Sequence, residues 1–131
     1  MPNIEYILVT VLVLALLLPY TLMRLASRAM VGKHAPRMDD VVTDATDMDK
    51  PVFLYFMSKR CSNCREMTPL VEEERKKNTN VFTINISDEP ELGSRFGVRG
   101  TPTLLSIRDG VIDQVKLGVV KGNKLTEFFE S

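Results

Sequence analysis

An uncharged apolar run of eighteen residues, Tyr6 to Met23, is the feature that most constrains how this chain folds. As a helix the run would be about 27 Å long, which is enough to cross the hydrocarbon core of a bilayer. It has no polar face, so it does not suit the core of a soluble domain. We therefore predict a membrane anchor over residues 1–30, with the transmembrane span at about 6–23 and contact with membrane lipid.

A cleaved signal peptide is the alternative interpretation of this run. Ser27-Arg28-Ala29 offers small residues for cleavage. However, the run is longer than the apolar region of an ordinary signal peptide, and neither Lys nor Arg precedes it. An uncleaved anchor is therefore the preferred prediction.

The only two cysteines of the chain form the motif Cys61-Ser62-Asn63-Cys64, which follows the apolar run Pro51 to Phe56 after four residues. A strand that ends at a C-x-x-C pair on the first turn of a helix suits dithiol-disulfide exchange. The helix N-terminus offers unpaired N–H groups and the positive end of the helix dipole, which stabilise a thiolate at Cys61. Lys59 and Arg60 act in the same direction. We expect Cys61 to attack a disulfide and Cys64 to resolve the mixed disulfide.

Two structural roles compete with this interpretation of the cysteine pair. A zinc site would need two further ligands, yet the chain has no other cysteine and a single histidine, His34, far upstream. A structural disulfide across so short a loop would remove little conformational entropy from the unfolded chain. The sequence therefore predicts neither a metal site nor a cofactor.

A second motif, Phe96 to Val111, contains Gly97, Gly100, Thr101-Pro102 and the turn Arg108-Asp109-Gly110. In order and spacing, the two motifs resemble the thioredoxin family from about Val52 to Phe129. The resemblance implies a cis peptide bond at Thr101-Pro102 beside the cysteines, where the Thr101 backbone can pair with a substrate segment. Without the resemblance, a trans proline at the start of an edge strand would be equally acceptable.

The resemblance implies a three-layer α/β fold with a mixed central sheet, preceded here by one transmembrane helix. It also implies a thiol-disulfide oxidoreductase that acts on protein disulfides or dithiols and receives electrons from a reductase or a membrane electron donor. The site residues that follow are the catalytic Cys61 and Cys64, and a substrate-binding set of Arg60, Ser62, Asn63, Gly100, Thr101 and Pro102.

The chain departs from the family pattern at the site. It has no tryptophan, Arg60 precedes the first cysteine, and Ser-Asn stands where the family has Gly-Pro. Tyr55 occupies the position of the family's buried aspartate, and Thr83 that of the lysine which usually pairs with it. Since that aspartate accepts the proton of the second cysteine, the acceptor here has to be another group, such as water or Glu66.

The remaining elements follow from local patterns. The acidic half of residues 24–50 predicts a short helix before the strand that begins at Pro51. This helix belongs to a linker and shortened domain start at 31–50 that leads into the domain at 51–131, and the family's first strand is expected to be shortened or absent. A helix is predicted from Ser62 to about Lys77, and its residues facing the sheet are Cys64, Met67, Leu70 and Val71. A central parallel strand over Val81–Ile86 and a short helix ending at Arg95 follow, and then a hairpin of Thr103–Ile107 and Val111–Leu117. A closing helix is predicted over Lys121–Phe129, with Leu125, Phe128 and Phe129 buried.

Charge bears on location and partners. Net charge is zero with no basic face, so no nucleic-acid partner is expected. The basic residues Arg24, Arg28, Lys33 and Arg37 all follow the apolar run. This bias favours the cytoplasmic face of a membrane, which we expect to be the bacterial inner membrane, whereas analogy with tethered family members favours the periplasmic face.

A second functional class is also compatible with the two thiols. A non-enzymatic thiol carrier, such as a copper-handling module for the assembly of membrane redox enzymes, would use Cys61 and Cys64 to bind Cu(I). Trapped mixed disulfides in a Cys64→Ser variant would indicate exchange, whereas loss of metal binding without a trapped partner would indicate a carrier.

Overall fold

The structure, a computed structural model, describes residues 3–131. Its elements in chain order are α1 (Ile4–Ala29), β1 (Val52–Met57), α2 (Cys64–Lys77), β2 (Val81–Asn85), α3 (Pro90–Arg95), β3 (Thr103–Arg108), β4 (Val111–Leu117) and α4 (Asn123–Glu130).

The four strands form one mixed sheet in the order β2-β1-β3-β4. β1 is parallel to β2 and antiparallel to β3, and β3 is antiparallel to β4. β2 is therefore an edge strand, and the prediction that it is central was wrong. Residues 31–50 contribute only an isolated bridge, from His34 to Val111, so no strand covers the outer side of β2.

The predicted short helix before β1 was also wrong, because residues 39–50 form successive turns. Local hydrogen bonds to side chains compete with helix formation in this segment. The Asp49 N–H donates to Asp47 Oδ1 over 3.0 Å, and the Thr43 N–H donates to Thr46 Oγ1 over 3.0 Å. An ion pair from Asp40 to Arg95 of α3, at 2.7 Å, fastens the segment to the domain.

Alternate residues of β1 point to opposite faces of the sheet, as the two-residue period of a strand requires. Phe53 and Tyr55 pack under α2 and α4, while Leu54 and Phe56 pack with α3 on the other face. The result is the predicted three-layer arrangement. Met30, one residue after α1, is buried in the layer that contains α3.

The helix faces agree with the predictions at most positions. The buried residues are Cys64, Met67 and Val71 of α2 and Leu125, Phe128 and Phe129 of α4. Leu70 is the exception, because 43% of its surface is exposed. The β3–β4 hairpin also forms where predicted, through Asp109 and Gly110 at positive φ values of 53° and 75°, as a two-residue primed turn requires.

α1 is one continuous helix of 26 residues with a mean hydropathy of 2.3 over its most apolar window, none of which is buried. It is long and apolar enough to cross a membrane, although an N-terminal signal sequence would satisfy the same criterion. Its first contacts with the domain come near its C-terminal end, at Met23, Ala26 and Ser27, which are partly covered.

Candidate active site

The cysteine pair lies where β1 passes into α2. β1 is buried up to Phe56, and a short loop from Ser58 carries the chain to the helix. The regular helix begins at Cys64, two residues after the predicted start, since Ser62 and Asn63 form the entering turn. Cys61 and Cys64 form a disulfide with their Cα atoms 5.3 Å apart.

The two sulfurs occupy different environments. Cys61 is partly exposed, whereas only 1% of the surface of Cys64 is exposed. The Cys64 N–H donates a hydrogen bond to Cys61 Sγ over 3.2 Å. A donor from the first residue of a helix favours negative charge on that sulfur. The arrangement suits attack by Cys61 and protection of Cys64 until a mixed disulfide forms.

The loop before β3 lies at the same end of the sheet. The Thr101-Pro102 peptide bond is cis. Because Phe56 of β1 is opposite Thr103 of β3, the residues before Thr103 lie beside the chain that leaves β1 toward the cysteines. The loop is held by the Thr103 hydroxyl, which donates to the Gly100 carbonyl over 2.6 Å, and by the Gly118 N–H, which donates to the Pro102 carbonyl over 2.9 Å.

The predicted substrate-binding residues fall into two groups around this end of the sheet. Arg60, Ser62 and Asn63 are exposed beside the cysteines, Gly100 and Thr101 are partly exposed, and Pro102 is buried. Within residues 3–131 the backbone N–H and C=O of Thr101 have no hydrogen-bond partner. Both groups are therefore available to an added strand.

Tyr55 replaces the family's carboxylate with a neutral hydroxyl. The side chain has no exposed surface, and its hydroxyl lies 2.9 Å from Thr68 Oγ1 and donates to the Cys64 carbonyl over 3.4 Å. Burial raises the pKa of Tyr55 above its ordinary value of 10.0, partly offset by the hydrogen bond to Thr68. The raised pKa keeps Tyr55 protonated near neutral pH, so Tyr55 positions the start of α2 and has no basic form there to accept a proton.

Glu66, the other candidate proton acceptor for Cys64, is held in an ion pair away from the cysteines. Its Oε1 forms an ion pair with Lys121 Nζ at 2.7 Å, on the exposed side of α2. Thr83, at the position of the family's lysine, donates to Glu72 Oε1 over 3.2 Å. Among the described residues no carboxylate is hydrogen-bonded to either cysteine, so water is the remaining candidate for the proton of Cys64.

Two contacts at the site were not anticipated from the sequence. Thr68 is four residues after Cys64 and could have been noticed from its helical spacing, since residues four apart share a helix face. Met23 of α1 covers Gly100, and a Cβ atom placed on Gly100 would lie 3.1 Å from Met23 Sδ. No sequence signal connects residues 77 positions apart. Residues 3–131 contain no cluster of three or more His, Cys, Asp or Glu side chains that could hold a metal ion.

A buried strand, a C-x-x-C disulfide at a helix N-terminus and a cis-proline loop at the same end of a mixed sheet together define a thioredoxin-like thiol-disulfide oxidoreductase. The family model described as Thioredoxin matches residues 35–131. The chain therefore belongs to the thioredoxin family, and it is a thiol-disulfide oxidoreductase that acts on protein disulfides.

Individual relatives agree with this assignment. The chain is 34% identical over 86 residues to a thioredoxin of Rickettsia bellii, covering 63% of this chain and 82% of that protein. It is 34% identical over 91 residues to a thioredoxin of Rhodospirillum rubrum, covering 67% of this chain and 88% of that protein. A solved structure described as that of a malarial protein superposes with a TM-score of 0.54 at 19% identity, covering 62% of this chain and 94% of the other, and shows the shared fold.

Replacing Tyr55 by phenylalanine tests the role of its hydroxyl. We expect the free energy of unfolding to fall by about 1 to 2 kcal/mol near neutral pH, since the hydrogen bonds of the buried hydroxyl with Thr68 and with the Cys64 carbonyl are lost. The raised pKa means that the folded chain holds the Tyr55 proton more tightly than the unfolded chain. The stabilisation that the folded chain gains from protonated Tyr55 is complete below pH 10.0 and is lost as the pH rises through the higher folded pKa.

The stability difference between wild type and Tyr55→Phe should therefore shrink above that pH, as measured by urea unfolding at several pH values. Tyr20→Phe, on the exposed part of α1, is the control and should leave the profile unchanged. A difference that stayed constant across the alkaline range would contradict the assignment.

Proposed function

We propose that this chain is a membrane-tethered thiol-disulfide oxidoreductase in which Cys61 is the nucleophile and Cys64 the resolving thiol. The observation that carries the proposal is the asymmetry of the pair. Cys61 Sγ is partly exposed and accepts the N–H of Cys64 at the start of α2, whereas Cys64 is buried. Only the first sulfur is accessible to a protein substrate.

The reduced enzyme transfers two electrons in two exchange steps. The Cys61 thiolate attacks one sulfur of a substrate disulfide, forms a mixed disulfide and releases the other substrate sulfur as a thiolate. The Cys64 thiolate then attacks Cys61 Sγ, which releases the second substrate thiolate and leaves the Cys61–Cys64 disulfide. Run in reverse, the same steps oxidise a substrate dithiol. The potential of the partner sets the direction.

Substrate binding is assigned to the two groups of residues around the sulfurs. The free N–H and C=O of Thr101 pair with an extended substrate segment, and Gly100 and Pro102 shape the loop that presents them. Arg60, Ser62 and Asn63 contact the substrate on the other side of Cys61.

α1 is proposed as the tether. We divide the chain into an anchor at 1–30, a linker and shortened domain start at 31–50, and the thioredoxin-like domain at 51–131. Support for an uncleaved anchor comes from Met30, which is buried in the core one residue after the helix ends at Ala29. Cleavage after Ala29 would place this core residue at a charged terminus.

The basic residues that follow the span favour the cytoplasmic side of a bacterial inner membrane. The test is alkylation of reduced Cys61 in intact cells by a maleimide that does not cross membranes. Labelling only after lysis is expected, whereas labelling of intact cells after permeabilisation of the outer membrane would place the domain in the periplasm. Extraction at alkaline pH should leave the chain in the membrane pellet, and recovery in the supernatant would overturn the tether.

A glutathione redox titration of the full chain in detergent tests the reaction, with the Cys61–Cys64 pair followed by the mass shift on alkylation. A reversible two-electron transition is expected, and its midpoint potential distinguishes a reductase from an oxidant. A pair that never closes into a disulfide would overturn the proposal and favour the thiol-carrier alternative.

A further inference from the structure

The position at which α1 leaves the domain indicates what kind of partner can reach the active site. Just after the C-terminal end of α1, the chain is hydrogen-bonded to the first half of β4, where the Gly32 N–H donates to the Ile112 carbonyl over 2.8 Å. Further back along the helix, the Met23 side chain lies against Gly100, and Leu117, the last residue of β4, borders the same glycine. α1 also contacts β4 directly. α1 therefore runs beside β4 toward the end of the sheet that carries the active site.

The apolar part of α1 extends beyond that end. Residues 4–22 are exposed and make no packing contact with the domain core, so the covered part of the helix begins at Met23. The nineteen residues before Met23 span about 28 Å in a continuous helix, which matches a bilayer core. With this segment in a membrane, Gly100 lies at the level where the span ends. The Thr101-Pro102 loop is next to it in sequence.

The charges at the active-site end of the domain favour an orientation in which this end faces the membrane. Arg24, Arg60, Arg65 and Arg99 are exposed, and in the described part of the chain none of them is paired with a carboxylate. Two carboxylates at this end, Asp88 and Glu66, are neutralised by Lys59 and Lys121, and Glu89 adds one negative charge. Unpaired arginines around a surface favour contact with anionic lipid headgroups.

We propose that the active site faces the bilayer and that its partner is a cysteine pair that an integral membrane protein presents at the level of the lipid headgroups. A soluble protein would have to enter the narrow space between the domain and the membrane, whereas a membrane protein already holds its thiols there. This inference rests on the tether proposed above and names the class of partner.

The first test measures the depth of the two ends of the domain in lipid nanodiscs that contain anionic lipid. The full chain, with Cys61→Ser and Cys64→Ser, receives a single fluorophore-labelled cysteine by either Ser62→Cys or Asp109→Cys. The hairpin turn at Asp109 is the matched control, because β3 separates it from the active-site end by about 20 Å. Circular dichroism checks that both variants are folded.

Spin-labelled headgroups should quench the label at position 62 strongly and the label at position 109 weakly, and a water-soluble quencher should show the opposite order. Equal quenching of the two labels by headgroups, or stronger quenching at position 109, would overturn the proposed orientation.

The second test compares two probes in the same vesicles. Each probe is a transmembrane peptide with one intramolecular disulfide, placed either two residues from the span or after a flexible Gly-Ser linker of about 30 residues, which reaches roughly 30 Å. The pre-reduced full chain should reduce the near disulfide about tenfold faster, because the near disulfide has the higher effective concentration at the site. Equal rates, or faster reduction of the far disulfide, would overturn the partner class.

The outcomes separate the two proposals. Failure to exchange with glutathione in detergent would overturn the oxidoreductase assignment, and release from the membrane at alkaline pH would overturn the tether. If the chain passes both tests, the opposite order of the two labels overturns only the bilayer-facing orientation, and the opposite order of the two peptides overturns only the partner class.

Discussion

Substitution of Cys61 by serine is expected to abolish disulfide exchange, with a loss of about 10³-fold or more in the rate at which the reduced chain reduces a protein disulfide. The serine hydroxyl stays protonated near neutral pH, so the nucleophile is removed while the fold is preserved. The measurement is single-turnover reduction of insulin, followed by alkylation of the released thiols.

Cys64→Ser serves as the matched variant because it leaves the proposed nucleophile in place. It should complete the first step and then accumulate a mixed disulfide at Cys61, since the resolving thiol is missing. Asp109→Asn, at the far end of the sheet, should exchange at the wild-type rate. A mixed disulfide that formed through Cys64 in the Cys61→Ser chain would reverse the assigned roles.

The largest effect on stability is expected for Phe53→Ala, which should lower the free energy of unfolding by about 3 to 5 kcal/mol. Phe53 is 2% exposed, and its ring lies 5.5 Å from that of Phe128 and 5.2 Å from that of Phe129, centroid to centroid. Truncation removes these aromatic contacts and leaves a cavity between β1 and α4. Urea unfolding of the full chain in detergent, followed by circular dichroism, measures the change.

Leu70→Ala is the control for Phe53→Ala. Leu70 is apolar and lies on α2, but 43% of its surface is exposed, so its truncation should change stability by only about 0.5 kcal/mol. Equal losses from the two substitutions would show that Leu70 belongs to the core, as its helical spacing suggested.

Several elements could be predicted because their causes are local. The run Val52 to Met57 is rich in β-branched and aromatic residues, the Asp109-Gly110 pair can adopt the positive φ values of a tight hairpin turn, and Leu125, Phe128 and Phe129 share one helix face. The position of the cysteine pair at a helix N-terminus is likewise set by the order of a strand pattern and a helix pattern along the chain.

The predictions that were wrong concern properties set by the neighbours of an element. β2 has the composition of a central strand, but an edge strand is defined by the lack of a neighbour, and residues 31–50 contribute only an isolated bridge at the opposite edge of the sheet, from His34 to Val111 of β4. Leu70 has the right spacing to face the sheet, yet the width of the buried stripe on α2 is set by the elements above it.

The sequence by itself determined the apolar span, the thiol chemistry and the family, because each depends on residue types at short spacing. Only the tertiary structure decided that Tyr55 hydrogen-bonds to Thr68, that Glu66 pairs with Lys121, and that Met23 packs on Gly100. These contacts join residues far apart in the chain, and their partners are fixed by the direction in which each helix crosses the sheet. For the same reason, the end of the domain toward which α1 extends follows from the path of α1 beside β4 and from no local pattern.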